Sequence, residues 1–371
     1  MKKILIYGLK EPIGGVEKII TSYTDNFPDK EIVCDYIIFG TSFSLETKIR
    51  EKGGRVFYLP NRIKRRKEYF EKLNSIFRDN KYDAVWANFP GLTNIDVLKL
   101  GKKYGVPVRI AHSHGSSLFW SGIIMKYPVI LFHNINKPKI DKYATDFWAC
   151  SEKAGKFMFP KKLYDRIKVI NNAVDTSVFF CDCETRNKTR KELGVEEDLV
   201  VCHVARMSPE KNQGFLLEVF ERLLQKKSNS KLLFVGDGEL KEQLYEKARE
   251  LGIIDNIIFL GFKEDASAYY KASDIFVLTS ISEGLSLVTV EAQACGVPCI
   301  VSQGVPKIAD VTGFVKFVGL DKSPEEWADA ILEMSEKEIP DPSSAVKKAG
   351  YDIKAAAERV YRFFIDGYFA D

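Results

Sequence analysis

The segment Thr279-Ser-Ile-Ser-Glu-Gly-Leu-Ser-Leu-Val-Thr-Val-Glu-Ala-Gln-Ala-Cys-Gly-Val-Pro-Cys-Ile-Val-Ser302 contains an acidic turn, a helical pattern and an apolar run in close succession. The run before the turn, Ile275–Leu278, is apolar and bounded by polar residues, which predicts a buried parallel strand. The pattern after the turn predicts a helix from Leu287 to Ala294, ended by Gly-Val-Pro, and residues 299–301 predict the next strand. Strand–helix–strand units of this kind build parallel sheets.

Two glutamates in this segment give the first functional hypothesis. Glu283 lies between the strand and the helix, at the edge where open α/β sheets bind their ligands. Glu291 lies about two helical turns further on, so phosphates held at the helix N-terminus could not reach both carboxylates. Carboxylates at this spacing suit hydroxyl groups, one carboxylate for a sugar and one for a ribose. The spacing therefore predicts a site for a sugar nucleotide.

Length and composition limit the remaining possibilities. At 371 residues the chain suits two domains of roughly 180 residues each. Its seven cysteines show no metal-binding spacing, which indicates the reduced, mostly buried thiols of a cytosolic protein. The first residues lead straight into a strand-like run without a secretory signal, and no apolar run approaches the roughly 18 to 20 residues that span a bilayer.

Charge is unevenly distributed along the chain. Residues 1–180 contain 31 Lys+Arg against 18 Asp+Glu, a net of +13, whereas residues 181–371 contain 24 against 33, a net of −9. The basic half predicts an anionic partner, which could be a membrane surface, a pyrophosphate-linked acceptor or nucleic acid. Lysines on solvated helix faces would give the same excess. Nucleic acid is the weakest of these interpretations, because no binding module is recognisable.

Alternating apolar runs and helical patterns predict two α/β domains with parallel sheets, facing each other across a cleft. The predicted strands are residues 4–7, 34–39, 56–58, 84–87, 108–111, 147–149 and 169–170, then 200–204, 232–235, 257–260, 275–278, 299–301 and 314–317. A polar, turn-rich segment near residues 175–198 indicates the linker. We therefore assign residues 1–178 to the first domain and 179–351 to the second, and expect a final helix within 352–371 to cross back onto the first.

Two loops of the first half follow predicted strands. Gly14 and Gly15 open a helix, where paired glycines let backbone N–H groups approach a phosphate or a sugar, although an ordinary turn has the same pattern. His112 and His114 end a later strand and, two positions apart, lie on one side of it. They predict a polar role beside the cleft. A structural histidine is an alternative, and a metal pair lacks a visible third ligand.

In the second half, Arg206 and Lys211 flank the predicted start of a helix, with Ser208 as its cap and a proline at its first position. Two cations beside a helix N-terminus form a diphosphate site without a metal. The chain also has no Asp-x-Asp pair that would recruit Mg²⁺ to a nucleotide diphosphate. A capped helix carrying two surface cations is the alternative interpretation.

Further loops could line the ligand site or a membrane contact. Gly236-Asp-Gly238 is expected to open space under the ligand, and Phe262 is expected to lie against a base. The basic run at residues 62–67, with apolar residues at 117–120 and 157–160, predicts docking on an anionic membrane. A solvated basic face is an equally weighted alternative for these segments.

Together these motifs resemble those of the GT-B glycosyltransferases of the retaining family 4, especially bacterial exopolysaccharide and capsule enzymes, over nearly the whole chain. The motifs are Gly14-Gly15-Val-Glu17, residues 109–114, 149–155 and 170–175, His203-Val-Ala-Arg206, Glu210-Lys211-Asn212, Gly236-Asp-Gly238 and the Glu-x7-Glu pair. The last of these, combined with the Arg/Lys pair, is highly specific. The chain departs from the pattern at Asn172-Ala173, where the family often has Asn-Gly.

The resemblance implies two Rossmann-like domains, with the donor held mainly by the second. Arg206 and Lys211 would neutralise the leaving nucleotide diphosphate. Glu283 would contact hydroxyls of the donor sugar, and Glu291 would hold those of the ribose. Backbone amides would support the sugar and phosphate at Gly284, Leu285, Ser286 and Leu287.

For the first domain, the resemblance implies that His114 is the active-site histidine, with His112 as a competitor, and that Gly14 and Gly15 close over the donor. The implied mechanism is retention by front-face displacement, in which stabilisation of the leaving group supplies most of the catalysis and no protein nucleophile is needed.

The function expected from these observations is that of a cytoplasmic enzyme, peripheral on the inner face of the cell membrane. It would transfer a sugar from a nucleotide-diphosphate sugar, UDP-linked, to a lipid-pyrophosphate-linked saccharide in exopolysaccharide or capsule synthesis, with no metal or further cofactor. One alternative is a GT-B sugar-nucleotide epimerase, which would release altered sugar without an acceptor. The other is a catalytically silent sugar-nucleotide-binding subunit of a polysaccharide synthesis complex.

Overall fold

The computed structural model describes residues 1–11, 13–28, 31–115 and 123–369, and the side chains of all of these except 123–126. The chain divides into two compact units. Met1–Asn172 together with Ile353–Asp371 form the first unit, and Ala173–Asp352 form the second. Each unit is built around one parallel β-sheet with helices packed on it.

The sheet of the first unit has seven parallel strands. They are β1 (Lys2–Lys10), β2 (Ile32–Phe39), β3 (Val56–Leu59), β4 (Ala84–Phe89), β5 (Val108–Ser113), β6 (Asp146–Ala149) and β7 (Ile167–Val169). The strand order is β3-β2-β1-β4-β5-β6-β7, so the chain reverses its direction across the sheet between β1 and β4. Every residue of β4 is buried, as expected for a central strand covered on both faces.

The helices of the first unit are α1 (Gly15–Asp25), α2 (Glu46–Glu51), α3 (Arg66–Arg78), α4 (Asp96–Lys103), α5 (Ile123–Asn136), α6 (Glu152–Met158) and the last helix of the chain, α14 (Ile353–Asp366). Helix α14 carries aromatic side chains onto the buried tryptophans of this sheet. The rings of Phe363 and Trp148 lie 4.9 Å apart, and those of Phe364 and Trp86 lie 5.8 Å apart. The C-terminal segment is therefore part of the first core.

The second unit contains a six-stranded parallel sheet. Its strands are β8 (Leu199–Val204), β9 (Ser230–Val235), β10 (Ile257–Gly261), β11 (Ile275–Leu278), β12 (Cys299–Ser302) and β13 (Val315–Val318). The order is β10-β9-β8-β11-β12-β13, so this sheet has its reversal between β8 and β11. All four residues of β11 and all four of β12 are buried, which fits the centre of a parallel sheet.

The helices of the second unit are α7 (Cys183–Leu193), α8 (Gln213–Lys226), α9 (Lys241–Glu250), α10 (Ser267–Ala272), α11 (Leu287–Ala294), α12 (Pro324–Ser335) and α13 (Pro342–Lys348). Trp327 of α12 is fully buried, donates a hydrogen bond to the carbonyl of Gly319 at 3.0 Å and packs against Phe215 of α8. Among the described residues, no helix is long and apolar enough to cross a membrane.

The predicted strands are largely confirmed, and the domain boundary is shifted. Each predicted strand overlaps a strand of the structure, although β7 shares only Val169 with the predicted residues 169–170, and α11 has the predicted bounds. The first unit, however, ends at Asn172 rather than at residue 178. Val174 and Phe179 pack into the core of the second unit, and Val174 pairs with Asp352 in an isolated β-bridge. The two segments in which the chain passes from one unit to the other are therefore held together in the second unit.

One apolar segment expected at a membrane contact is buried instead. Met158 and Phe159 are fully buried in the first core, and Phe157 stacks on His133 with ring centroids 4.8 Å apart. The interpretation of residues 157–160 as a membrane contact is therefore wrong, because these side chains complete the packing beneath α6. The other apolar segment, residues 117–120, lies outside the described residues.

A buried carboxylate in the first sheet contacts residues at or near the starts of β1, β3 and β4. Asp35 of β2 is fully buried and accepts hydrogen bonds from the backbone N–H of Arg55 at 2.9 Å, from the Arg55 guanidinium at 2.7 Å and from the Tyr82 hydroxyl at 2.9 Å. The ammonium of Lys3 lies 3.3 Å away. Burial raises the pKa of this carboxyl, but the hydrogen bonds from Arg55 and Tyr82 and the charge of Lys3 outweigh it, and the pKa is lowered overall.

We expect Asp35→Asn to lower the free energy of unfolding by about 2 to 3 kcal/mol at neutral pH, because it removes the charge that these donors surround. A lowered pKa stabilises the fold above the unfolded value of about 3.9, and this contribution is lost as the pH falls through the folded pKa. The difference from wild type, measured by urea unfolding, should therefore be constant above about pH 5 and shrink below pH 4. The exposed Asp79→Asn is the matched control, and a pH-independent difference would contradict this account.

Candidate functional site

The candidate site of the second unit lies where its sheet reverses direction. Strands β8 and β11 are neighbours in the sheet, and the chain continues from them toward opposite edges of the sheet. Ligands of open α/β sheets bind in the crevice that forms at such a point. The loop after β8 carries Arg206 and Lys211, and the loop after β11 carries Glu283. The topology thus brings together residues that are far apart in the sequence.

Lys211 and Glu283 form a direct ion pair in this crevice. The ammonium of Lys211 donates to Oε1 of Glu283 at 2.5 Å, and the hydroxyl of Ser280 donates to the same oxygen at 2.6 Å. Their side chains are only 20% and 12% exposed, so each charge depends on the other for most of its stabilisation. Oε1 of Glu283 is thus held by two donors, and the site presents an ammonium and a carboxylate next to each other.

The two loops are also joined through their backbones. The N–H of Ile281 donates to the carbonyl of Glu210 at 2.8 Å, and the Thr279 hydroxyl donates to the carbonyls of Lys211 and Asn212 at 3.1 and 3.0 Å. Asn212 has a φ of 53°, a left-handed conformation that asparagine tolerates better than most residues. These contacts fix where the Lys211 side chain leaves the backbone.

The local structure at Ser208 differs from the prediction. Residues Pro209–Lys211 form a short 3-10 turn, and helix α8 begins only at Gln213. The Ser208 hydroxyl donates to the carbonyl of Arg206 and does not cap a helix, because the left-handed Asn212 separates the turn from the helix. The loop between β8 and α8 is therefore longer than the sequence pattern predicted.

Arg206 lies in the same loop but in a different environment. Its side chain is 70% exposed and pairs with Glu210 at 3.0 Å, one turn further along. Its backbone is held by the amide of Gln213, which donates to the Arg206 carbonyl at 2.8 Å. Arg206 is thus an accessible cation beside the buried ion pair, free to change its partner at little cost because exposed pairs contribute little stability.

Glu291 lies in the second turn of α11 and is half-buried. The hydroxyl of Tyr270, a fully buried residue of α10, donates to Oε2 of Glu291 at 3.0 Å. Burial, followed by the negative charge of Glu291, raises the pKa of this phenol well above its usual range, so Tyr270 remains a donor. Sequence reasoning identified Glu291 but missed Tyr270, which has no local signal in the chain.

The amino terminus of α11 is open to a ligand. Gly284 has no atom within 4 Å of the position of an added Cβ, and Ser286 precedes the helix without capping it through its side chain. The Ser286 hydroxyl instead pairs with that of Thr289 at 2.7 Å. Leu285 and Leu287 are half-buried on either side. The Leu287 N–H donates to the carbonyl of Leu285 at 3.1 Å, whereas the N–H groups of Gly284 and Ser286 have no acceptor among the described residues, which suits an anion.

The glycines after β9 have a different role from the predicted one. A Cβ on Gly236 would lie 2.0 Å from the carbonyl oxygen of Ala205, and one on Gly238 would lie 2.3 Å from that of Met207. They allow the loop after β9 to pack against the loop after β8, and they do not open space for a ligand. Phe262 follows β10 and is 73% exposed, so its ring is available for stacking.

In the first unit, Gly14 and Gly15 lie at the start of α1, as predicted. The carboxylate of Glu17 folds back on this turn and accepts hydrogen bonds from the N–H of Gly14 at 2.9 Å and the N–H of Lys10 at 3.2 Å. Gly15 has open space around the position of a Cβ. Glu17 therefore uses one of the amides that could have met a phosphate, and the turn is held by the protein itself.

The structure separates the roles of the two histidines. His112 is fully buried, and its Nδ1 accepts a hydrogen bond from the indole N–H of Trp86 at 3.1 Å. His114 follows the end of β5, is half-buried, and its Nε2 lies 2.9 Å from Oδ1 of Asn88. The two rings are 4.1 Å apart. His114 is therefore the more accessible of the two histidines, and His112 lies against it in the core.

Within the part of the chain that the structure describes, no group of three or more His, Cys, Asp or Glu side chains is arranged to hold a metal ion. All seven cysteines are unpaired, and Cys150, Cys202, Cys295 and Cys299 are buried.

Comparison with known proteins identifies the family. Residues 185–352 match the family described as "Glycosyl transferases group 1". The chain is also 30% identical over 328 residues to a putative glycosyltransferase, EpsF of Bacillus subtilis (strain 168), covering 86% of this chain and 84% of EpsF. This chain belongs to the group 1 glycosyltransferases. A second relative, from Escherichia coli, is named UDP-Gal:alpha-D-GlcNAc-diphosphoundecaprenol alpha-1,3-galactosyltransferase and is 34% identical over 41% of each chain.

Solved structures share the whole architecture. Anabaena HepE in complex with UDP matches 99% of this chain and 100% of its own with a TM-score of 0.77 at 20% identity. WaaG, a glycosyltransferase involved in lipopolysaccharide biosynthesis, matches 98% of each chain with a TM-score of 0.68 at 13% identity. At these identities the likeness establishes the fold, which is the GT-B fold of two Rossmann-like domains with parallel sheets.

We expect Lys211→Met and Glu283→Gln each to abolish sugar transfer, because each removes one member of the pair and leaves the other charge without its partner. Activity and donor binding would be measured beside thermal unfolding, since a buried unpaired charge also destabilises by about 3 kcal/mol. Lys226→Met is the matched control, because Lys226 has an ion pair of the same length, 2.5 Å to Glu325, away from the site. Transfer at near wild-type rates by either folded site variant would show that the assignment is wrong.

Proposed function

We propose that this glycosyltransferase moves a sugar from a UDP-sugar to a lipid-pyrophosphate-linked saccharide in exopolysaccharide or capsule synthesis, with retention of configuration and without a metal. The observation that carries this proposal is the buried Lys211–Glu283 pair at the reversal point of the second sheet. It supplies a cation for a diphosphate and a carboxylate for hydroxyls within one crevice. The open amino terminus of α11 adds amides for the phosphates.

In the proposed reaction, the bond between the anomeric carbon and the diphosphate oxygen breaks while the acceptor hydroxyl attacks from the same face. The proton of that hydroxyl moves to the departing phosphate oxygen. Lys211 and Arg206 stabilise the charge that develops on the leaving group, which is the main requirement of the step. Glu283, fixed through Oε1 by Lys211 and Ser280, keeps Oε2 available for a sugar hydroxyl. Glu291, oriented by Tyr270, accepts from the ribose.

The choice of donor and acceptor rests on the relatives. HepE was solved with UDP, and the Escherichia coli relative is named for a UDP-linked donor and a diphosphoundecaprenol acceptor. The net charge of +13 on residues 1–180 is consistent with an acceptor that carries a pyrophosphate. An epimerase would use the same donor site but needs no acceptor. A silent subunit would not require the complete set of Lys211, Glu283 and Glu291.

The first experiment is a panel of UDP- and GDP-sugars, scored for binding and for slow hydrolysis in the presence of EDTA. We expect one UDP-sugar to bind and to be hydrolysed, because water replaces the acceptor when none is present. Release of an epimerised sugar would favour the epimerase, and binding without hydrolysis, with no transfer to acceptor lipids, would favour the silent subunit. Loss of all activity in EDTA with recovery on adding Mg²⁺ would contradict the metal-free mechanism.

We also propose that the enzyme works at the cytoplasmic face of an anionic membrane and that α5 makes the contact. Four of its large apolar side chains are exposed: Tyr127, Leu131, Phe132 and Ile135 are 72%, 57%, 48% and 42% exposed. Tyr127, Leu131 and Ile135 are spaced four residues apart and share one helical face. The helix thus presents an apolar stripe with no partner among the described residues.

The charge around α5 favours an anionic bilayer over a protein partner. Residues 99–168 contain 14 Lys+Arg against 4 Asp+Glu, a net of +10. Helix α5 runs directly into a 3-10 turn, Lys137–Lys142, and Lys102 of α4 donates to the carbonyl of Lys142 at 2.8 Å, which brings the lysines of α4 alongside. An apolar stripe beside a basic belt is the pattern of helices that lie in the headgroup region of membranes.

We expect the full-length protein to bind vesicles that contain phosphatidylglycerol, more weakly at high salt, and not vesicles of phosphatidylcholine alone. The double variant Leu131→Glu, Ile135→Glu should bind at least about tenfold more weakly, because it removes two apolar side chains from the contact. Ile308→Glu, at a residue 54% exposed in the second unit, is the control. Unchanged binding by the double variant would overturn the proposal, as would a self-associated wild type that the same substitutions dissociate.

A further inference from the structure

Asn88, a residue with no predicted role, is held in a single orientation at the centre of the first sheet. It is 1% exposed and lies in β4, beside the reversal point of that sheet. Its amide nitrogen donates to the backbone carbonyl of Tyr7 at 3.2 Å and lies 3.4 Å from that of Trp86. Because carbonyl oxygens only accept, the NH₂ group must face them. The Asn88 oxygen must then face His114.

This orientation determines which nitrogen of His114 carries a proton. Oδ1 of Asn88 lies 2.9 Å from Nε2 of His114, and an amide oxygen can only accept. Nε2 is therefore protonated. A neutral imidazole has one protonated nitrogen, so Nδ1 carries the lone pair, and among the described residues no group hydrogen-bonds to it. His114 is thus held as a hydrogen-bond acceptor at Nδ1.

The surroundings keep His114 neutral. Burial lowers its pKa to about 3. Within the described part of the chain, the titratable group that faces it is the ring of His112, which is itself buried and whose pKa is lowered by burial and, to a smaller extent, by His114. Asn88, which faces it from β4, has no charge. Protonation of His114 would put a second donor at Nδ1 and place a cation in this buried cluster, which burial opposes.

We propose that Asn88 is a positioning residue that fixes His114 as a neutral acceptor, and that the substrate group meeting Nδ1 must therefore donate a hydrogen bond. A sugar hydroxyl meets this requirement. A carboxylate does not, since its oxygens would face the lone pair of Nδ1. That a substrate group meets this acceptor rests on the proposed function, whereas the state of His114 does not.

The state of His114 can be read directly by long-range ¹H–¹⁵N correlation spectra of the full chain without any substrate. The chain has four histidines, so single His→Gln variants assign every ring. His203 is an internal reference of the opposite form, because its Nδ1 lies 2.9 Å from the carbonyl oxygen of Val277 and must be protonated. We expect His114 in the Nε2–H form, without titration between about pH 5 and 8. An Nδ1–H form, or an imidazolium in this range, would overturn the inference.

Substitutions of Asn88 test its role separately from the fold. Asn88→Asp keeps the acceptor and adds a negative charge, so we expect the pKa of His114 to rise by about 1 to 3 units and the transfer rate to gain a new dependence on pH. Asn88→Leu removes the acceptor, and we expect a mixture of both neutral forms of His114 with a lowered kcat/KM for transfer. Variants that fold, as judged by thermal unfolding, but leave both the spectra and the pH profile unchanged would contradict a positioning role.

The state of His114 is measured without any substrate. Failure of every sugar donor to be used would therefore count against the proposed function and not against the protonation state of His114.

Discussion

The ammonium of Lys211 and the carboxylate of Glu283 are 2.5 Å apart and largely withdrawn from water. Neither charge would be stable there alone, so the two loops that carry them must keep one arrangement. The backbone contact between Ile281 and Glu210 maintains that arrangement independently of the side chains. In the proposed reaction the same constraint is useful, because it holds opposite charges next to each other where a diphosphate and a hydroxyl-bearing sugar would be bound together.

The fold could be predicted almost completely because its signals are local. Every strand is a short apolar run with polar ends, and such runs become buried strands wherever helices cover both faces of a sheet. The same local pattern located Glu283 and Glu291 on either side of the start of α11. The domain boundary was harder, because Val174 and Phe179 look like linker residues until the core that receives them is known. Burial of Met158 and Phe159 depends in the same way on distant neighbours.

The site could be predicted only where a side chain has a pattern of its own. Lys211 and Glu283 were identified separately, but their contact spans 72 residues and no periodicity indicates it. Ser280 and Tyr270 orient the acidic groups through single hydrogen bonds that exist only after folding. Gly236 was expected to make room for a ligand, yet the atom that demands a glycine there is the carbonyl oxygen of Ala205 on the neighbouring loop. Such a steric requirement depends on how the two loops pack together and cannot be read from the sequence of either loop alone.

The two units handle polarity in different ways. The second unit presents charged groups at its sheet reversal, where the departing diphosphate of the proposed reaction would gain negative charge. The first unit has the excess of lysine and arginine, yet among the described residues none of them perturbs the pKa of His114. The pKa of His114 is lowered by burial and not by a neighbouring cation. A neutral acceptor discriminates among hydroxyl groups by direction, whereas a cation would attract any oxygen that carries negative charge. A lysine or arginine beside His114 would therefore weaken this selection by direction, whereas lysines and arginines on the surface of the unit do not affect it.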